Sequence, residues 1–167
     1  LAQDYLAARD EAREIAREAA ALPQMSSAEQ VMAPLAPRSP AMVAERAATV
    51  EVAAEEPLTL GHAINHGLAA VLERHSNALL FGEDVAEKGG VYGVTRGLHA
   101  RFGAGRVFDT LLDETSILGL ALGSALSGFL PLPEIQYLAY LHNAEDQLRG
   151  EAATLQFFSQ GQYRNPL

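Results

Sequence analysis

Carboxylates stand at three places in the sequence where they could do chemistry. All three places lie beside apolar segments. They are Asp113 with Glu114, Glu83 with Asp84, and Glu134, which Gln136 follows two residues later. Glu114 is the strongest candidate, because residues 115–129 carry no charged side chain and a carboxylate beside them is expected to be poorly solvated. Such a group shares a proton readily, so the pattern indicates general acid–base chemistry.

A structural role competes with this interpretation at each place. Asp113 suits the N-cap of a helix predicted over 114–128, where Glu114 would be a favourable acid in the first turn. Glu83 and its neighbour suit a solvated loop. Glu134 is harder to explain structurally, since a charged side chain in an otherwise apolar strand is unusual.

The remaining polar motifs are weaker. His62 and His66 share a helical face, but no third metal ligand accompanies them. The segment GVYGVTRG has glycines without the pattern of a nucleotide-binding loop. Neither a metal site nor a phosphate loop is therefore predicted.

The helix predicted over 114–128 is apolar on nearly all sides, which predicts burial. Gly119, Gly123 and Ser127 recur on it every four residues. Glycine inside a helix costs about 1 kcal/mol relative to alanine, so two of them indicate that another backbone approaches closely. Packing within the chain and contact between subunits both fit this spacing.

The elements that would position these residues alternate between helix and strand. Buried strands are predicted near residues 78–82, 106–109 and 132–137. Longer helices are predicted over LTLGHAINHGLAAVLERH, with Thr59 as its cap, over 114–128, and over AEDQLRGEAATLQFFS. This alternation predicts an α/β fold in which helices cover both faces of a mostly parallel sheet. Functional groups in such sheets gather beyond the carboxyl ends of the strands, where Glu83 and Glu114 fall.

Three segments divide the chain. Residues 1–22 lack Gly and Pro and space their acids and arginines four apart, which predicts an exposed helix. Residues 23–56 are punctuated by prolines and keep no regular period, so a linker is predicted there. Residues 57–167 have a globular composition and no closing element, so we expect a domain that is incomplete at its C-terminal end.

Composition excludes several classes of function. The net charge of −9 over 167 residues argues against nucleic acid as a partner, since phosphate binding needs a basic surface. The chain has no cysteine, which excludes thiolate chemistry. No apolar stretch reaches the roughly 18 residues of a membrane span, and the first residues do not form a secretory signal. A soluble cytoplasmic protein with no membrane partner is expected.

Glu114 opens a motif in which four residues, Gly119, apolar Leu120, two more residues and Gly123 follow in order. Together with LLFGEDVAEKGGVYGVTRGL, FGAGRVFDT and PEIQYLAYLHNAEDQLRGEAA, the motif resembles the beta subunit of thiamine-diphosphate-dependent 2-oxo acid dehydrogenases. That group includes the pyruvate and branched-chain enzymes. The resemblance covers about residues 57–167 and implies the pyrimidine-binding fold of this family.

The resemblance implies a role for each candidate residue. Glu114 would hydrogen-bond a ring nitrogen of the aminopyrimidine of thiamine diphosphate, and Glu83 would belong to a proton network between sites. Gln136 and Tyr140 match residues that line the cofactor pocket. The implied reaction is the decarboxylation of a 2-oxo acid with transfer of the acyl group to a lipoyl carrier.

The resemblance also implies partners. An alpha part would hold the diphosphate and magnesium, and a lipoyl-bearing acyltransferase would accept the acyl group. A second beta-type subunit is also expected, and the spacing of Gly119, Gly123 and Ser127 predicts that they lie at the contact between subunits. Residues 1–22 and the segment MAPLAPRSP look like the tail of an alpha subunit and a connector. We therefore expect a fragment of a fused alpha–beta component, inactive by itself.

Some residues depart from the family pattern. Leu111, Asp113 and Ser116 stand where the family commonly has Pro, Ser and Gly. These differences leave the implied cofactor role intact but leave the identity of the 2-oxo acid open. Two other functions also stay open: a non-catalytic α/β assembly module that pairs through the glycine-bearing helix, and transketolase-like chemistry on the same cofactor.

Overall fold

The amino-terminal helix is exposed along its whole length. A computed structural model describes residues 1–33, 39–49, 57–163 and 165. In it, α1 (Ala2–Ala21) buries none of its residues, and an ion pair joins Arg17 to Glu14 on its surface. The helix predicted over residues 1–22 therefore forms, and Leu1–Ala33 is a unit of its own.

Two short helices form in the stretch predicted as a linker. α2 (Ala28–Met32) begins after Ser27, whose side chain accepts a hydrogen bond from the Gln30 N–H at 3.2 Å. α3 (Pro40–Ala48) starts with proline, which has no N–H to leave unpaired in the first turn. None of the described residues between 23 and 49 is buried. Residues 34–38 and 50–56 of that stretch lie outside the described residues.

Three short strands pair into one parallel sheet in the described part of the globular region. They are β1 (Ala78–Gly82), β2 (Val107–Asp109) and β3 (Leu130–Glu134), in the order β2–β1–β3. Both neighbours run parallel to β1. The predicted α/β fold with mainly parallel strands is confirmed.

β3 lies nearer the amino terminus than the prediction of 132–137 placed it. It starts two residues earlier and ends two residues before Gln136, which therefore follows the strand. Pro131 and Pro133 suit an edge strand, because proline has no N–H to donate to a ladder. Leu130 donates its N–H to the carbonyl of Asn77, the residue before β1. Backbone groups point alternately to the two sides of a strand, so those of Pro131 and Pro133 point away from β1.

Helices cover both faces of the sheet, as predicted. The two helices on one face are α4 (Leu60–Arg74) and α5 (Leu98–Phe102), and the helix on the other is α6 (Glu114–Leu126). Leu80 of β1 packs with α4 and α5 in the first core cluster, and Phe81 packs with Ile117 and Ala121 of α6 in the second. Successive residues of β1 thus face opposite layers.

α6 is not buried on all sides, contrary to the prediction. Its buried apolar positions form one face: Ile117, Leu118, Ala121, Leu122 and Ala125. Leu120 and Leu126 on the opposite side are 43% and 45% exposed. An apolar helix needs partners all round to be fully buried, and the described residues supply them on one side of α6 only.

The helix predicted over residues 144–159 is broken into short pieces. α7 (Leu138–Leu141) comes before it, and a 3-10 turn (His142–Ala144) ends at its first residue. Within it lie a π-helical turn (Gln147–Ala152) and α8 (Leu155–Phe158). Gly150 lowers helix propensity in the middle of the stretch. The Thr154 hydroxyl also donates to the Gly150 carbonyl, which competes with regular backbone pairing. No helix in the described residues is both long and apolar enough to cross a membrane.

An alanine at Gly82 is expected to destabilise the sheet. Gly82 pairs with Glu134, and a Cβ there would lie 2.5 Å from the Glu134 carbonyl oxygen, so β1 and β3 would have to separate. Overpacking of this kind costs about 1–3 kcal/mol. Urea unfolding measures the loss, and a Gly82→Ala chain as stable as the parent would contradict the close approach of the strands.

Gly67→Ala on α4 is the matched control for that measurement. No atom of the described residues lies within 4 Å of a Cβ built there. Replacing a mid-helix glycine by alanine should raise the free energy of unfolding by about 0.5–1 kcal/mol. The two Gly→Ala changes are thus expected to have opposite signs.

Candidate active site

The candidate residues gather at one edge of the sheet. Glu83 follows β1 directly, Glu114 begins α6 after β2, and Gln136 follows β3. Because the three strands are parallel, their carboxyl ends meet at the same edge, which is where open α/β sheets bind their ligands. The candidate site therefore lies at that edge.

Glu114 is the first residue of α6 and is 9% exposed. Asp113 caps the helix as predicted, since its side chain accepts the Ser116 N–H at 3.3 Å and also the Ser116 hydroxyl. The Glu114 carboxylate is thus left for other contacts, beside the positive end of the helix dipole. Because Asp113 already caps the helix, the buried position of Glu114 supports a chemical role and not a capping role.

Asn143 binds the Glu114 carboxylate. The Asn143 side-chain amide donates to Glu114 Oε2 at 3.3 Å. Among the described residues no donor contacts the second oxygen, Oε1. The sequence patterns did not indicate Asn143, because it lies 29 positions further along the chain, in the 3-10 turn that follows α7.

The loop after β1 carries the second acidic pair. Asp84 has φ of 59° and pairs with Lys88 at 2.6 Å. Asp109, at the end of β2, accepts the Ala86 N–H at 2.8 Å and so fastens the loop to the sheet. Fully buried Thr95 donates its hydroxyl to the Val85 carbonyl at 2.8 Å. Neither anchor was predicted, although an acid at a strand end is a signal that could have indicated Asp109.

Glu134 is the least satisfied acid of the edge. Its Oε2 is buried and has no hydrogen-bond partner among the described residues. Burial raises the pKa of this carboxyl, and the charges of Glu83 and Asp84 raise it further. Glu134 therefore holds a proton more readily than a solvated glutamate does, which suits it to share a proton.

Gln136 and Glu83 are brought together, whereas Glu114 bonds elsewhere. The Gln136 amide donates to the Glu83 carbonyl at 3.3 Å and so links the ends of β3 and β1. In the described chain no hydrogen bond joins Glu114 to either residue. Tyr140 is 44% exposed and packs edge-on against Tyr137, with ring centroids 5.3 Å apart.

The glycines of α6 face open space within the chain. No described atom lies within 4 Å of a Cβ built on Gly119 or Gly123. The Ser127 hydroxyl donates to the Gly123 carbonyl at 2.8 Å, which keeps this polar group satisfied on the exposed side. Together with exposed Leu120 and Phe129 they line an open groove. Packing inside the chain, one of the two explanations for the spacing, is therefore excluded for the described residues.

The described residues contain no group of three or more metal-ligating side chains arranged around a common point. Three acids of the sheet edge have other partners: Asp84 pairs with Lys88, Glu114 with Asn143, and Asp109 with a backbone N–H.

This parallel sheet, with an acid at the start of a half-buried helix, defines an α/β domain whose candidate residues lie beyond the carboxyl ends of its strands. Residues 56–158 match the family described as transketolase, pyrimidine binding domain, and the chain belongs to that family. The match covers the strands, α4, α5, α6 and the broken helical segment after β3.

Individual relatives identify the kind of subunit that the chain resembles. Over 104 residues the chain is 47% identical to the beta subunit of the pyruvate dehydrogenase E1 component of Staphylococcus epidermidis, covering 62% of this chain and 32% of that protein. The subunits of the same name from Bacillus subtilis and Staphylococcus aureus are 42% and 43% identical over 110 residues, covering 66% of this chain and 34% of each. The resemblance predicted from the motif is confirmed, and the chain spans about a third of the length of the curated relatives it matches.

Glu134 is expected to make stability depend on pH. Its folded pKa lies above the ordinary value of 4.5, so its contribution to stability is full below that value and is lost as pH rises through the folded pKa. Glutamine cannot ionise. The free energy of unfolding of Glu134→Gln should therefore rise relative to that of the parent as the pH is raised from about 4.5 through the folded pKa of Glu134.

Urea unfolding across this pH range measures the difference. Glu87→Gln is the control, because Glu87 is an exposed acid on the same loop after β1. Its unfolding free energy should follow the parent at every pH. Parallel curves for Glu134→Gln and the parent would show that the burial of Glu134 does not matter to its ionisation.

Proposed function

We propose that this chain supplies part of the thiamine diphosphate site in the decarboxylating component of a 2-oxo acid dehydrogenase. The observation that carries the proposal is the Glu114 carboxylate. It is nearly buried, one oxygen is bound by Asn143, and Oε1 receives no donor from the described residues. The identity to pyruvate dehydrogenase beta subunits supports it.

The residues present fit the pyrimidine end of this cofactor. A pyrimidine ring nitrogen needs one hydrogen-bonding partner in poorly solvated surroundings, which Glu114 Oε1 offers. The half-exposed rings of Tyr137 and Tyr140 give flat apolar surfaces near the same edge. When bound, thiamine diphosphate would supply the carbon nucleophile for decarboxylation, and Glu114 would hold and share the proton of the pyrimidine nitrogen.

Glu83 and Gln136 would act around that contact. The hydrogen bond from Gln136 to the Glu83 carbonyl fixes the two strand ends relative to each other. We infer that Glu83 carries protons toward a second site and that Gln136 and Tyr140 line the cofactor pocket. Glu134 lies close enough to Glu83 for the negative charge on Glu83 to raise its pKa, which supports a shared proton at this edge.

The diphosphate would be held by another part of the assembly. The sheet edge of this chain carries Glu83, Asp84, Glu114 and Glu134, and such an edge repels a polyanion. We therefore propose that an alpha part supplies magnesium and the diphosphate contacts, and that the acyl group passes to a lipoyl-bearing acyltransferase. Pyruvate is the favoured 2-oxo acid, since the relatives carry that name; a branched-chain acid is the alternative.

An assembly role accompanies the catalytic one. The open glycine face of α6 favours a second beta-type subunit as its partner, because glycine in a helix is useful mainly where another backbone comes close. The same face would also suit a non-catalytic assembly module or a transketolase-like enzyme. Proton exchange on the bound cofactor distinguishes the catalytic proposal from an assembly module. Substrate turnover distinguishes it from a transketolase-like enzyme.

Glu114→Gln should slow catalysis strongly in the assembled enzyme. Glutamine keeps the size of the side chain but cannot share a proton in the same way, and loss of general acid–base help costs about 100- to 10,000-fold in rate. The measurements are decarboxylation of a 2-oxo acid and proton exchange at the thiazolium carbon. Exchange at the parent rate would overturn the proposed role of Glu114.

Asp113→Asn is the matched control for that variant. Asparagine caps helices about as well as aspartate, so the contact with the Ser116 N–H should survive. Fold and activity are both expected to be largely retained. A loss equal to that of Glu114→Gln would mean that the start of α6, and not the Glu114 proton, limits the rate.

Gly123→Leu should weaken association without harming the fold. Open space surrounds Gly123, so a leucine fits the isolated chain and improves its helix propensity, whereas it would overpack a backbone contact with a partner. Molar mass across a dilution series measures association. Ala70→Leu, at an exposed position on α4, is the control and should leave the mass unchanged. Equal masses for Gly123→Leu and the parent would exclude this face as an interface.

A further inference from the structure

The segment after α7 returns to the start of α6 and is fastened there at three points. Ala144 is fully buried. The Thr115 hydroxyl donates to the Asn143 carbonyl at 2.9 Å. The Asn143 amide in turn donates to Glu114 Oε2. Two adjacent residues of α6 thus bind Asn143: Thr115 bonds its backbone carbonyl, and Glu114 bonds its side-chain amide.

These two hydrogen bonds determine which oxygen of Glu114 remains available to bind a ligand. A carboxylate on a flexible side chain can turn either oxygen toward a ligand. Since Asn143 engages Oε2, and Asn143 is itself held by Thr115 and by the burial of its neighbour, the Glu114 rotamer is held with Oε1 as its accepting atom. A positioned group reacts faster than a mobile one, because its orientation need not be found anew in each encounter.

We propose that Asn143 is a positioning residue for Glu114, which fixes the carboxylate so that Oε1 meets the pyrimidine nitrogen. This inference rests on the proposed function of Glu114 and adds a residue that acts through it. Asn143 needs no contact with the cofactor. The amide donates to a charged acceptor, a bond about twice as strong as one between neutral groups.

The contact can be tested without cofactor in the full 167-residue chain. The NMR signals of the Asn143 side-chain amide report its acceptor. They are expected to differ between the parent and Glu114→Ala, and to be the same in the parent and Asp113→Asn. Amide signals that do not respond to Glu114→Ala would overturn the inference.

The consequence is tested in the assembled enzyme by proton exchange at the thiazolium carbon. Asn143→Leu keeps the size of the side chain and removes the donor, and it should slow exchange about tenfold or more, as expected for a hydrogen bond to a charged group. Asn143→Gln keeps the donor and should restore part of the rate. Asn77→Leu is the matched control, since exposed Asn77 likewise donates one amide bond, to the Gly128 carbonyl, and should leave the rate unchanged.

The outcomes separate this inference from the proposed function. If Glu114→Gln slows exchange while Asn143→Leu does not, the positioning role is wrong and the function of Glu114 stands. If Glu114→Gln exchanges at the parent rate, the proposed function fails and the positioning role fails with it. If Asn143→Gln is as slow as Asn143→Leu, loss of the donor is not the cause, and the positioning role is also wrong.

Discussion

The close approach of β3 to β1 at Gly82 determines how the site is built. Without a side chain at Gly82, the Glu134 backbone can lie where a Cβ would otherwise stand. The parallel pairing then brings the end of β3 level with the end of β1, so that Glu134 lies near Glu83 and Gln136 reaches the Glu83 carbonyl. A larger residue at this one position would separate the two strands and with them the acids.

An edge that gathers four carboxylates has to limit their repulsion. Three of them have different surroundings: Asp84 pairs with Lys88, Glu114 receives an amide and a helix N-terminus, and Glu134 is poorly solvated with a raised pKa. The raised pKa sets Glu134 apart from an ordinary solvated glutamate. In the proposed enzyme such an edge would accept and pass protons, whereas it is a poor place for a diphosphate.

Local sequence features predicted the elements and the residues at their ends. The caps Thr59 and Asp113 and the parallel strands follow from patterns within a few residues, and they form as expected. Asn143 could not be found in this way, because its contact depends on where the chain returns after α7. The break in the last predicted helix after Ala152 depends on competition between local hydrogen bonds, which periodicity does not express.

α6 carries both the glycine face proposed for assembly and, at its first residue, the carboxylate proposed for chemistry. Gly123 lies nine residues after Glu114, or about 13 Å along the helix axis. Each glycine lowers the stability of the helix by about 1 kcal/mol in the chain, a cost that contact with a partner's backbone would offset. A helix is stiff over this length, so a partner that packs on the glycine face also fixes the axis on which Glu114 is carried. In the proposed enzyme, association of the subunits would therefore help to orient the carboxylate that Asn143 also contacts.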